Sequence, residues 1–391
     1  AFDPNSNTLF GSTAGSLATI DVTSGLATVV GATGFGEVQA LAYDPTTDTW
    51  SGGPSLPIPL YAHAATRLAT DELLVTGGIE VTDFFGFPFQ TQTAVCRRYD
   101  PATNDYVAAA SFATGRYVHE IGNWDNAFPY DGTPPSWGHR LQAAGVRSDS
   151  IGKLHYRSVE DEAGFDEEIL PLHVLNGQGD IQGMLRSPPP KRPSTSQLAA
   201  DAGEGESTYL GYDRKIRDAA CDWLAEAGRR QEGPWTLFVS FVCPHFPLVA
   251  PPEFFRLYPL DEMPMPQLRG PGEFPDHPVL AKLREVQAYE DHFRDEAHIR
   301  TAMAAYYGMV SFLDDNVGRV LAALDAAGLA DNTLVVYTSD HGDNLGARTF
   351  WGKSNMYEES AGIPLILKGP GVKAGARVAT PVSLVDAHPT I

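Results

Sequence analysis

A chain of 391 residues with 43% hydrophobic content carries enough apolar material for two or three packed domains, which excludes wholesale disorder. Its 49 acidic residues against 28 basic ones leave a formal charge of −21, which excludes nonspecific nucleic-acid binding, because that needs a basic surface to displace counterions. A small anionic ligand stays compatible with this balance, since a metal and a few lysines reverse the potential locally inside a cleft.

Residues 1–109 read as β-structure, in short alternating runs of Thr, Val, Ala and Gly broken by turn residues. A turn phrase recurs as Asp3-Pro4-Asn5-Ser6-Asn7, Asp44-Pro45-Thr46-Thr47-Asp48 and Asp100-Pro101-Ala102-Thr103-Asn104, with starts 41 and then 56 residues apart. Proline presets φ and the Asp or Asn side chain closes the turn, so each phrase marks a hairpin corner. Between the second and third, Tyr61-Ala62-His63-Ala64-Ala65-Thr66 leads into Leu73-Leu74-Val75-Thr76-Gly77-Gly78. This pattern resembles a Kelch blade, and the spacing suits propeller repeats. The resemblance implies antiparallel β-structure, separate from the rest of the chain and able to engage a protein partner, with His63 as a packing residue.

From about residue 110 to 391 the texture changes to strands alternating with helices, which predicts an α/β domain with a mostly parallel sheet flanked by helices. Over 212–230, Ile216, Ala220, Trp223, Leu224 and Ala227 share one helical face. Trp235 to Val242 is a nearly continuous apolar run, suited to an interior strand covered on both sides. A long helix is predicted over 298–327 from the spacing of Met309, Val310, Leu313, Val317, Val320, Leu321 and Leu324, and strands over Leu334–Thr338 and Ile363–Leu367. The Pro-, Ser- and Gly-rich stretch 180–207 reads as a loop without a core of its own. No run is long enough to span a membrane. Three scattered cysteines, Cys96, Cys221 and Cys243, form neither a disulfide framework nor a metal knuckle, and the latter two suit free thiols. Both ends of the chain read as cut.

The densest chemistry is Thr338-Ser339-Asp340-His341-Gly342-Asp343, directly after an apolar strand, where open α/β sheets collect their ligands. An Asp beside a His offers a hard oxygen and an imidazole, as a divalent metal site requires. The run from Tyr306 through Asp314-Asp315-Asn316-Val317-Gly318-Arg319 to Asp343, then Trp351-Gly352-Lys353, Pro364-Leu365-Ile366 and Gly369-Pro370-Gly371-Val372, closely resembles the sulfatases of the alkaline phosphatase superfamily. Its flavour is nearest to choline-sulfatase-like and phosphonate-monoester-hydrolase-like members. Further pieces fall in the family's order: Ala113-Thr114-Gly115-Arg116-Tyr117, Gly152-Lys153-Leu154-His155 and Pro244-His245-Phe246-Pro247.

The resemblance implies an alkaline-phosphatase-like fold and hydrolysis of a sulfate ester, with phosphonate or phosphodiester hydrolysis as the alternative. It implies that Asp340 and His341 sit at a divalent cation, calcium or similar, and that Lys153 and Lys353 hold sulfate oxygens. His245 becomes the acid for the leaving group, and His155 supports the nucleophile side. Asp343 is read as a turn residue or a support to the site. The family's nucleophile lies in a Cys/Ser-x-Pro-x-Arg phrase just before the segment matched by Ala113–Arg116, and here Tyr106 to Phe112 contains no such phrase; Ser111 lacks the following Pro and Arg. The amino-terminal strand that brings a pair of metal-binding aspartates has no counterpart either, and Asp3, Asp44 and Asp100 belong to turns. The expectation is therefore a hydrolase fold impaired in turnover, or a dead scaffold carrying a propeller-like binding module.

Overall fold

The computed structural model of the chain describes residues 107–123, 128–177, 179, 194–230, 233–353 and 355–391, together with the backbone of short strands before residue 97. Those strands pair antiparallel, first as Phe2–Asp3, Thr8–Thr13, Ser16–Ile20 and Ala27–Ala32, then as hairpins Leu41–Asp44 with Thr49–Gly52 and Ala65–Arg67 with Leu73–Val75. They do not support propeller blades, and the His63 reading lies outside the described residues. One pairing crosses the expected boundary near residue 110. Strand β1 (Gln92–Cys96) runs antiparallel along an apolar strand near the carboxyl end, with Leu365 opposite Ala94.

Helix α1 (Val107–Thr114) is closed by the Thr114 hydroxyl, which donates to the Ala110 carbonyl at 2.8 Å. After it come α2 (Trp137–Ala143), β2 (Arg147–Lys153), β3 (Glu167–Leu172), α3 (Ser194–Asp201), α4 (Thr208–Arg230), β4 (Trp235–Ser240), α5 (Glu296–Ala326), β5 (Val335–Thr338) and β6 (Ile363–Lys368). Strands β3, β2 and β4 form a parallel sheet in that order, while β5, β6 and β1 form an antiparallel one. The parallel sheet is as expected, and β5, β6 and β1 make a separate antiparallel ladder among the described residues. Strands β4 and β5, expected in the interior of the sheet, each end a ladder among the described residues.

The two-sided apolar character of β4 nevertheless has its predicted cause. Trp235, Leu237 and Val239 pack with the α4 face of Ile216, Ala220, Trp223, Leu224 and Ala227. On the opposite side, the Phe238 ring meets Phe112 of α1 at 5.6 Å and Trp137 of α2 at 6.2 Å. Each large side chain so buried contributes roughly 1.5–3 kcal/mol, which easily offsets the cost, about 1 kcal/mol, of Gly211 inside α4. Helix α5 begins where the Asp295 carboxylate accepts the His298 amide at 2.8 Å, and it anchors a second core around Met303, Met309, Phe312 and Trp351.

The stretch 180–207 departs from its loop reading over its second half. Thr195, Leu198 and Ala199 are buried on one side of α3, and Gly203–Glu204 pairs with Val249–Ala250. The i, i+3, i+4 spacing is too short to stand out amid Pro, Ser and Gly, so packing against the α5 core settles it.

Candidate active site

The first functional side chain is placed by a glycine. Gly152 has φ +102, and a Cβ there would lie 2.2 Å from the Ser240 carbonyl oxygen of β4 and 2.8 Å from Ile216 of α4. Only a residue without Cβ fits. The next residue, Lys153, closes β2 and sends its Nζ to Asp340 Oδ2 at 3.4 Å.

Asp340 and His341 follow β5 in a turn that fixes itself. The Ser339 hydroxyl donates to the His341 carbonyl at 2.9 Å, and the His341 amide donates to Asp340 Oδ1 at 3.1 Å. Gly342 donates its N–H to the Ser360 carbonyl at 2.8 Å, and a Cβ on it would sit 2.1 Å from the Glu359 carbonyl oxygen. His341 Nδ1 lies 2.7 Å from the Gly342 carbonyl, so that nitrogen carries the proton and Nε2 is the acceptor. The Lys353 ammonium donates to that Nε2 at 2.7 Å. Lys353 owes its place to Asp343, whose Oδ1 accepts from the amides of Leu345 at 2.8 Å and Gly352 at 2.9 Å.

His245 sits in the turn after β4, where its amide donates to the Val242 carbonyl at 3.0 Å. Its Nδ1 donates to the Phe246 carbonyl at 2.8 Å, its ring stacks on Phe246 at 4.7 Å, and Tyr209 of α4 meets it edge-on at 6.0 Å. Withdrawal from water, with Lys353 and Lys153 next, holds this imidazole well below the ordinary histidine range. The same withdrawal would raise the Asp340 carboxyl, but the positive charges around it, Lys153 and Lys353 among them, outweigh it and hold the group far below the usual carboxylate range.

Four of the six expected residues are therefore joined by direct contacts, namely Lys153, Asp340, His341 and Lys353, and His245 shares their field. His155 lies two residues beyond β2 in the left-handed region (φ 59), its amide donating to the Leu172 carbonyl at 2.8 Å. That places it at the same end of the strand as Lys153. Tyr209 and the Phe246 carbonyl escaped the sequence reading. A ring contact from the first turn of a helix and a backbone acceptor leave no motif.

The described residues do not by themselves make a calcium site. Calcium takes six to eight oxygen ligands, whereas Asp340 and His341 supply one carboxylate and one imidazole, each facing a lysine ammonium. Among the described residues, no three His, Cys, Asp or Glu side chains gather as a metal would require. Ser111, the serine nearest the missing nucleophile phrase, is buried in α1.

The lysine, carboxylate and imidazole groups thus stand on the ends of β2, β4 and β5. The sulfatase family model matches residues 100–391. The chain belongs to the sulfatase family. This sulfatase-family chain is 30% identical over 292 residues to a choline-sulfatase of Rhizobium meliloti, covering 73% of the chain and 57% of that protein. It is 31% identical over 293 residues to arylsulfatase K of Danio rerio, covering 72% and 54% respectively. The chain thus spans little more than half the length of these relatives. Among solved structures, a phosphonate monoester hydrolase from Silicibacter pomeroyi superposes with a TM-score of 0.58 at 25% identity, covering 77% of this chain and 65% of that one. A phosphonate monoester hydrolase of Agrobacterium radiobacter gives 0.58 at 22% identity, covering 77% and 64%, which speaks to the fold alone.

Proposed function

We propose that this chain is the oxyanion-binding part of a sulfuric ester hydrolase, holding the anionic head of a sulfate ester between Lys153 and Lys353 with His245 at the leaving-group side. The observation that carries the reading is the gathering of Lys153, Lys353, His341 and His245 around a single carboxylate, although they lie two hundred residues apart in sequence. An anion within about 4 Å of an ammonium gains on the order of 4 kcal/mol at an effective dielectric of 20. The overall charge of −21 is spread over the surface and screened beyond about 8 Å at physiological ionic strength. The local term wins.

His245 is the acid in this scheme, and its state depends on the ligand. With Nδ1 donating to Phe246, the neutral ring has a bare Nε2. A bound anion offsets the lysine charges that depress its pKa, so ligand binding favours the protonated ring that an ester oxygen needs as it departs. His155 would support the nucleophile side.

Turnover by these residues alone is slow, because no side chain stands in the Cys/Ser-x-Pro-x-Arg phrase and covalent catalysis has no activated nucleophile. A divalent metal, as members of the family use, would supply further charge neutralisation but needs oxygen ligands beyond Asp340. The similarity to phosphonate monoester hydrolases favours a second reading, in which the same cleft takes a phosphonate monoester; the tetrahedral oxyanions are alike. Titration calorimetry with inorganic sulfate tests the proposal. Binding should weaken about tenfold or more in Lys153→Ala and in Lys353→Ala, since each removes a charged hydrogen bond. Unchanged affinity in both variants would sink it.

A further inference from the structure

Asp213 is fully buried within the second turn of α4. Both its oxygens are spent on consecutive amides: Oδ1 accepts from Val242 at 2.8 Å and Oδ2 from Cys243 at 2.9 Å. Those amides open the turn that His245 closes with its own N–H on the Val242 carbonyl. Four residues earlier on the same helical face, Tyr209 lays its ring edge-on against the His245 ring. One helix therefore grips the histidine twice, by the backbone of its turn and by the ring.

The chemistry of the grip is specific. Two converging N–H donors need an acceptor with two oxygens, and an ionised carboxylate is the side chain that offers both without a donor of its own. An asparagine would satisfy one amide and confront the other with its NH2 group. A buried charge is costly; among the described residues this one makes no salt bridge, and Lys153 of the anion cluster acts on it through space.

We propose that Asp213 is a positioning residue that sets where His245 stands over the oxyanion cleft. The inference rests on the anion-site reading for its consequence, but the hold on His245 stands on the hydrogen bonds alone. It assigns a task to a buried carboxylate which touches no ligand and which no motif marks.

The test combines ring NMR of His245, its signals identified by their loss in His245→Asn, with calorimetry of inorganic sulfate. In Asp213→Asn the ring signals should move and sulfate should bind about tenfold to hundredfold more weakly, the usual cost of losing a supporting partner. In the His245→Asn background the same change should cost less than about twofold, because coupled residues are not additive. Equal losses in both backgrounds would mean that Asp213 merely holds the fold together, and would overturn the proposal. Unmoved ring signals would overturn it whatever sulfate does. If the native chain binds no sulfate while Asp213→Asn still shifts the ring, the anion-site reading fails and the positioning role stands. Should Asp213→Asn not fold, Asp213→Ser, which keeps one acceptor, gives the same readouts with the same opposing outcomes.

Discussion

At the scale of single residues, the site turns on how one imidazole responds to its neighbours. His245 is depressed by partial burial and by Lys353 and Lys153, so between its folded value and the ordinary value near 6.5 the unfolded chain binds more protons than the folded one. Stability from this group is therefore complete above the ordinary histidine range and lost as pH falls below it. The acid loss of stability between pH 7.5 and 5.5, measured by urea unfolding, should be smaller in His245→Gln than in the native chain. Sulfate has the opposite linkage. It raises the His245 value, takes up protons on binding, and should bind more tightly as pH falls through the same window. Calorimetry of His245→Gln should show that dependence flattened; an unchanged slope would mean that the imidazole does not face the anion. Asp340 behaves as a retained carboxylate, since its folded value is held far below the usual range. Its contribution is present at neutral pH and is lost only in strong acid.

Among the elements, the strand ends do the placing. Gly152 lets β2 approach β4 and α4 closely enough to deliver Lys153, so Gly152→Ala should cost about 2–5 kcal/mol from left-handed strain and overpacking together. Chemical denaturation would read that cost, and a loss under 1 kcal/mol would show that the strands separate cheaply. Much of this layer was legible in the sequence. The α4 face was written in the spacing of Ile216, Ala220, Trp223, Leu224 and Ala227, because a 3.6-residue period survives any tertiary context. The two-sided packing of β4 was written in its nearly continuous apolar run. Its ladder position was not, because hydrogen-bonded neighbours leave no mark on composition. Helix α3 was hidden by its Pro- and Ser-rich surroundings, and β1 by sitting in a region whose texture pointed elsewhere. For the candidate site, ordered motifs singled out Lys153, Asp340, His341, Lys353 and His245, whereas Asp213 and Tyr209 touch it only through a backbone turn and a ring edge.

For the whole molecule, an acidic chain with a small cluster of lysines at its strand ends should bind anions in a salt-sensitive way while remaining indifferent to nucleic acid. Hydrolysis of aryl sulfates by the chain should be slow, and co-expression with the formylglycine-generating enzyme should leave it unchanged: the resemblance implies a nucleophile that this enzyme makes by oxidising the Cys or Ser of a Cys/Ser-x-Pro-x-Arg phrase, and the sequence offers no such phrase. A rate that rises on co-expression, or that already matches a chain carrying a family-type nucleophile segment before Ala113, would show that the missing phrase is not limiting. The placement of the anion itself is tested most directly by a crystal of this chain soaked in selenate, a sulfate mimic visible by its anomalous scattering. The anomalous peak is predicted within hydrogen-bond reach of the Lys153 and Lys353 ammonium groups, beside His245. A peak elsewhere on the molecule, or an empty cleft at a selenate concentration that fills surface sites, would contradict the assignment of this cleft as the oxyanion site.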